Sequence, residues 1–411
     1  MPTDILLAVP DETREANFRS ADIVIIGAGV IGCSTAYHLA RLGISDVVVL
    51  EQGEVGCGSS SRSAAMLSLH SCDNDWSLRL ARYSYARYMQ FEDEVGVPCG
   101  FRRTGWLSIA DAAGAPEVER KISLLRRHGV PVEVLSPDDI RRDYPEMRTD
   151  DLALGAYTSD DGTLDPHSIM WGYLKRAREK GIRLLQGVRA VGLRIRQGRV
   201  EGVETDKGFI ATRTVINAAG PWAPEVSSWA GLEIPILNRA RCIWVTGPFP
   251  LIPSDRPFVD DVGREWYFRP EGPGLLIGMG IVPVDRLDVE ISRQLLPEMI
   301  EVATHRMPLL EQASILTSWT GVRPLTPDGL PVIGPVPLPE GLLLNVGWGG
   351  MGLIQAPVAG QLLAEYVAFG RPATFEDATA LEIGRFSTCQ ALPEVSGSGI
   401  LSGESAAPRW P

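Results

Sequence analysis

The stretch from Ala21 to Gly32, ADIVIIGAGVIG, restricts what this chain can fold into more than any other. Asp22 to Ile26 is a β-branched apolar run of strand length, as expected of a strand covered on both faces of a parallel sheet. Gly27-x-Gly29-x-x-Gly32 follows at once, and Ser34 to Ala40 opens a helix. A second apolar strand, Asp46 to Leu50, ends in Glu51, about twenty residues beyond the glycines. Strand, glycines, helix, strand and acid in this order form the fingerprint of a dinucleotide-binding βαβ unit. Gly27 allows the tight turn, Gly29 lets backbone approach a pyrophosphate, and Gly32 lets helix and strand pack closely. Val30 and Ile31 fall where the helix N-terminus faces the phosphates. Glu51, with Gln52 beside it, would accept ribose hydroxyls, and an acid there disfavours a 2′-phosphate.

At 411 residues the chain exceeds one typical domain, so two are expected. Its net charge of −12 argues against nucleic acid or an anionic membrane as partner. Six cysteines lie scattered at 33, 57, 72, 99, 242 and 389, with no CxxC spacing. That indicates neither a zinc site nor a disulfide framework, but buried thiols and a cytoplasmic setting. No stretch reads as a signal peptide or as a bilayer span.

Residues 1–20 read as a polar extension. Gly56 to Leu67, GCGSSSRSAAML, is a small-residue loop whose glycines, hydroxyls and Arg62 suit a pyrophosphate and the linker beyond it. Trp76 to Glu94 and residues 116–128 have helical spacing, and Phe101 to Ala110 reads as a strand. Ser136 and Asp165 are N-cap signals; Gly181 ends the second of those helices. Arg183 to Gly220 reads as several strands, the last ending in the small residues Ala218-Ala219-Gly220. Ala240 to Val282 alternates as antiparallel sheet, residues 289–306 and Gln355 to Phe369 read as helices, and the chain beyond about 380 as a loose tail.

These residues resemble the glycine oxidase, sarcosine oxidase and D-amino acid oxidase group of flavoproteins. The resemblance runs from about residue 21 to 380 and rests on IGAGVIG with Glu51, GSSSRSAAML, VINAAGPWA, WYFRPE, and GVRPLTPDGLPVIGP followed by GWGGMG. It implies an α/β fold in which a Rossmann-like FAD-binding domain (residues 21–97, 153–235 and 318–380) interleaves with an antiparallel-sheet α+β substrate domain (residues 98–152 and 236–317). Residues 381–411 would form the tail. Gly27, Gly29, Gly32 and Glu51 would hold the ADP half of FAD. Gly58, Ser59, Ser60, Ser61 and Arg62 would lie along the pyrophosphate and ribityl side. Ala65, Met66 and Leu67 would approach the flavin ring, and the Val188 backbone would meet adenine. Ala219, Gly220 and Trp222 would sit near the linker. Gly349, Gly350, Met351 and Gly352 would hold the pyrimidine edge. Arg323 matches an arginine that binds the substrate carboxylate, and Tyr267 a tyrosine that helps.

Three positions depart from the pattern. Gly321 stands where some sarcosine oxidases attach flavin to cysteine, so FAD is expected to be non-covalent. Leu276 stands at the place of a lysine that activates oxygen. Gly350 stands where glycine oxidase has a second arginine, so the carboxylate would be held less tightly, or by Arg269. The implied reaction is oxidation of the C–N bond of a small carboxylated amine, an amino acid or an N-methyl amino acid. Hydride would pass to the flavin, giving an imine that hydrolyses. No paired carboxylates or triad are needed. Met66 and His70 read as structural residues, and Trp348 as a roof or core residue. Oxygen or another acceptor would take the electrons, from a homo-oligomer or a hetero-oligomer. The alternatives are the flavoprotein subunit of a heteromeric, proline-type dehydrogenase, a non-catalytic nucleotide-binding protein, and an NAD dehydrogenase.

Overall fold

The computed structural model describes residues 19–386, apart from residue 286. The expected N-terminal extension and C-terminal tail, with Cys389, lie almost entirely outside the described residues. Ile23–Ile26 sits inside a six-stranded sheet ordered Val332–Pro335, Leu342–Val346, Thr214–Asn217, Ile23–Ile26, Val47–Glu51, Arg183–Gln186. All pairings are parallel except that of the edge strand Val332–Pro335. Register sets Ile26 against Leu50 on one side and Asn217 on the other. Three strands therefore end, and enter loops, at one edge of the sheet, where open α/β sheets bind ligands.

The apolar stripe of the first helix, Val30–Arg41, is buried all round, from Val30 to Ala40. It packs on the sheet and against the helices Pro166–Glu179 and Gly352–Phe369. Two glycines make that possible. A Cβ on Gly32 would lie 1.9 Å from the Gly27 carbonyl oxygen, and one on Gly360 would lie 2.5 Å from the Ser34 backbone. At the second crossing the Ser34 hydroxyl donates to the Ala356 carbonyl at 2.6 Å.

A second, eight-stranded sheet lies over the strand ends. Its order is Ile315–Leu325, Leu237–Thr246, Gly274–Pro283, Trp266–Glu271, Phe258–Asp261, Trp106–Asp111, Leu152–Thr158, Glu133–Leu135. One face buries Trp244, Trp266, Phe268 and Ile277 together with Met299 and Ala303 of the helix Ser292–Arg306. Alternation puts Arg241, Ile243, Tyr267 and Leu276 on the other face. The expected segment boundaries at 152/153 and 317/318 fall inside strands of this sheet.

Local signals act as their chemistry dictates. Ser136 forms a capping box with Asp139, and Asp165 accepts from the amides of His167 and Ser168. Three readings need correction. The expected strand from Phe101 breaks at Gly105, which has φ +82°, into Arg102–Arg103 and Trp106–Asp111. The helix expected from Trp76 to Glu94 is divided at Gln90 into Asp75–Met89 and Phe91–Val95. Phe258–Asp261 pairs with Trp106–Asp111 in parallel, inside the region read as antiparallel.

Gly32→Ala forces the helix off the strand, because the obstructing atom is backbone. We expect a loss of about 1–3 kcal/mol of stability, read as a lower midpoint in urea unfolding. An unchanged midpoint would show that the crossing has slack.

Candidate functional site

A cavity of about 300 Å³ runs between the strand ends of the parallel sheet and the inner face of the eight-stranded sheet. At one end lie Gly27, Gly29, Val30 and Ile31 of the glycine turn, with Glu51 and Gln52. The helix begins at Gly29, which has no side chain to cap it; the Val30 amide donates to Ser60, and the helix N-terminus borders the cavity with its partial positive charge. The Glu51 carboxylate accepts from the amides of Ala28 at 2.9 Å and Gly53 at 3.0 Å. It thus fixes both turns of the mouth. Val188 lines the same end, but its N–H is already donated to the Glu51 carbonyl at 3.0 Å.

The Ser-rich loop lines the middle through Gly58, Ser59, Ser60, Arg62, Ala65 and Met66. Its hydroxyls are engaged within the protein. Ser59 donates to the Val322 carbonyl at 2.5 Å, Ser60 accepts from the Val30 amide at 3.0 Å, and Ser61 donates to the Gly56 carbonyl at 2.8 Å. Arg269 Nε donates to the Ala64 carbonyl at 2.8 Å. Ala65 sits at φ +57°, a conformation that non-glycine residues seldom hold except where surroundings enforce it. Ala219, Gly220 and Trp222 line the cavity next to Gly27 and Gly58, and Gly349, Gly350, Met351 and Gly352 line it as well. Gly220 has φ +54° and open space where a Cβ would stand.

Arg323 and Tyr267 both line the cavity. The half-buried Arg323 makes no hydrogen bond or ion pair among the described residues. Desolvation and the neighbouring Arg241 hold its pKa down, to about 10. Tyr267 is 4% exposed, and its hydroxyl has no partner among the described residues. Its ring occupies the space over Gly278, where a Cβ would lie 1.9 Å from the ring. Behind it stack Phe258, at 4.9 Å between centroids, then Trp106 at 3.9 Å, then His70 at 5.8 Å.

Three selected residues do not line the cavity. Gly32 serves the helix crossing, Ser61 ties down its own loop, and Leu67 is fully buried in the core beneath. Arg269, the expected substitute anchor, is also off the cavity: it is spent on Ala64, on the Pro270 carbonyl at 2.9 Å, and on Glu271. Cys57 is exposed, contrary to the reading of the cysteines as buried; Cys33, Cys72, Cys99 and Cys242 are buried. His70 is fully buried between Thr158 at 3.2 Å and Ser108 at 2.9 Å, and burial keeps its pKa well below the ordinary histidine value. Trp348 lines the cavity from the loop after Leu342–Val346 and donates to Asn345 at 2.9 Å.

Two residues went unread in the sequence. Arg241 is 7% exposed and lines the cavity. Its Cζ lies 4.8 Å from the Tyr267 ring centroid, and Nη2 donates to the Glu265 carbonyl at 3.1 Å. Asp260 shares the wall, accepting from Ser108 and from Trp106 Nε1, each at 2.6 Å. Burial raises its pKa, opposed by hydrogen bonds and by Lys121. Alternation of the strands could have shown both, since Arg241 is two residues from Ile243 and Asp260 pairs with Tyr267.

A parallel sheet with a glycine turn at its first strand end and an acid at its second, roofed by a sheet that sets two arginines on the cavity, is the frame of a flavin-type dinucleotide oxidoreductase. The chain belongs to the FAD-dependent oxidoreductase family described as DAO, whose model matches residues 22–366. It is similar to mouse mitochondrial sarcosine dehydrogenase, 31% identical over 92% of this chain, and spans 42% of that protein's length. It is also similar to sarcosine oxidase subunit beta from Rhizobium meliloti, 27% identical over 89% of this chain and 88% of that protein. Among solved structures, L-proline dehydrogenase from P. horikoshii superposes with a TM-score of 0.81 at 26% identity, covering 90% of this chain and 98% of that one. Among the described residues no helix is long and apolar enough to cross a membrane, and no cluster of His, Cys, Asp or Glu could hold a metal ion.

The cavity residues fit FAD: glycines, which carry no Cβ, line the cavity beside the Glu51 carboxylate at the end of the second parallel strand. Glu51→Gln leaves at least one of the two backbone donors facing an amide N–H, which costs about 1–3 kcal/mol. We expect FAD retention after gel filtration to fall about tenfold or more. Full retention would remove Glu51 from the ribose end.

Proposed function

We propose that this chain oxidises the C–N bond of a small amine that bears a carboxylate, of the N-methyl or other secondary amino acid type. The product is an imine that water hydrolyses. The observation that carries this is Arg323, a guanidinium without a partner among the described residues, on the same cavity as the glycine turn and Glu51. The names of the relatives support the class: sarcosine dehydrogenase, a sarcosine oxidase subunit and a proline dehydrogenase. FAD, when bound, supplies the two-electron acceptor for the C–H bond beside nitrogen.

The glycine turn, Glu51 and the Gly58–Arg62 stretch would hold its ADP half, and Met66 with Gly349 to Gly352 its ring. The holding is non-covalent at residue 321, because Gly321 has no side chain and a Cβ there would already lie 3.0 Å from the Arg62 carbonyl. The chain's own residues then bind, orient and dry the substrate. Arg323 takes the carboxylate in a fork, a charged contact that fixes the carbon bearing the reactive hydrogen. Tyr267 donates to the same group. Met66, Ile243, Phe258 and Leu276 form an apolar patch that excludes water beside it. Asp260, with its raised pKa, takes the ammonium proton, since the amine must be neutral when the C–H bond breaks.

A second reading concerns the acceptor. Leu276, 2% exposed in that patch, offers no charge for oxygen activation. This supports a dehydrogenase that passes electrons to a partner subunit. Native purification and reoxidation in air separate the readings: fast peroxide formation by the isolated chain refutes the dehydrogenase.

Arg323→Gln removes charged hydrogen bonds of about 1.5–3 kcal/mol, so kcat/KM should fall roughly 10- to 150-fold. The measurement is anaerobic bleaching of the flavin by a panel of N-methyl and α-amino acids. A change under threefold would take the carboxylate away from Arg323. Absence of bleaching by every carboxylated amine would refute the proposed reaction.

A further inference from the structure

We infer that the cavity holds two anion subsites and that the substrate carries two carboxylates, one on each arm of a secondary amine. This rests on the proposed amine oxidation and names its substrate class. The second subsite is built on Arg241, which lies over the Tyr267 ring.

Three polar atoms on this wall are buried without a partner among the described residues: Arg241 Nε, Arg241 Nη1 and the Tyr267 hydroxyl. Their side chains are 7% and 4% exposed, and both line the cavity. A buried donor left unmade costs about 1–3 kcal/mol, more when charged. These atoms are therefore placed for an acceptor that the protein does not itself supply.

The donor inventory sets how much acceptor is needed. Arg241 has about three free N–H hydrogens on Nε and Nη1, Arg323 about five, and the phenol one. One carboxylate offers about four lone-pair sites. A single carboxylate would leave half the donors and one full positive charge unanswered in a desolvated place. No carboxylate pairs with either arginine among the described residues. Asp260, on the same wall, interacts instead with Lys121.

Placement separates the two subsites. Arg241 pairs with Gly321, and Arg323 stands two residues further along, opposite Arg239. The guanidinium of Arg241 leans across the sheet onto the Tyr267 ring, away from the strand that carries Arg323. The two groups remain close enough that Arg241 depresses the Arg323 pKa. An amine with a carboxylate on each side would bridge them and cancel that repulsion.

The test titrates the FAD-loaded enzyme with two inert thioethers, thiodiacetate with two carboxylates and methylthioacetate with one, reading the shift in flavin absorbance. We expect thiodiacetate to bind at least tenfold more tightly. In Arg241→Gln that ratio should collapse to within twofold of one, and Arg241→Lys should restore part of it. Equal affinity for the two thioethers in the wild type overturns the inference, whatever the variants do. Anaerobic reduction then separates the two claims. Bleaching by N-methylglycine with no preference for iminodiacetate overturns the second subsite and leaves amine oxidation standing. Bleaching by no carboxylated amine overturns both.

Discussion

The structure depends on a polar seam between two sheets that share no strand. Ser59 reaches the Val322 carbonyl, Arg269 reaches the Ala64 carbonyl, and Trp319 Nε1 reaches the Arg62 carbonyl at 3.3 Å. Each bond joins the loop after the second parallel strand to the roof sheet. Individually such bonds contribute about 0.5–1.5 kcal/mol, more where a charge takes part. Together they set the height of the cavity, because the loop they hold is also its floor. A loop rich in small residues is needed there: larger side chains would fill the space that the seam keeps open.

Polarity changes along the cavity. The dinucleotide end has helix amides and a carboxylate already satisfied by two backbone donors. The middle is lined by hydroxyls turned to the protein, so it offers shape more than hydrogen bonds. The roof carries cationic groups, and Arg241 Nε and Nη1 there have no internal acceptor among the described residues. A molecule with phosphates near one end and an anionic partner near the other matches that gradient.

Much of this was legible in the sequence, for reasons that differ by element. The βαβ unit could be read because its glycines answer to backbone clashes that occur within a dozen residues: Gly32 meets Gly27. Arg323 and Tyr267 could be read by resemblance, since short motifs surround them. Arg241 could not. Its neighbours in LNRARCIWVT give no motif, and its importance comes from Tyr267 and Arg323 on other strands. Arg269 illustrates the opposite case. It has the right type on the right strand, yet three acceptors beside it take up its donors before any ligand can. Ser61 and Leu67 fell within a motif most of whose members line the cavity, while these two turn away from it.

The ring of Tyr267 has Gly278 below it and a column of Phe258, Trp106 and His70 behind. The last ring is pinned through Thr158 to the buried Asp161, which accepts from that hydroxyl at 2.8 Å. The pocket wall is thus braced like a row of books against a bookend. Its width is set some three layers away from the surface that a ligand touches, and drift in the outer layers would retune selectivity while every contacting side chain kept its identity.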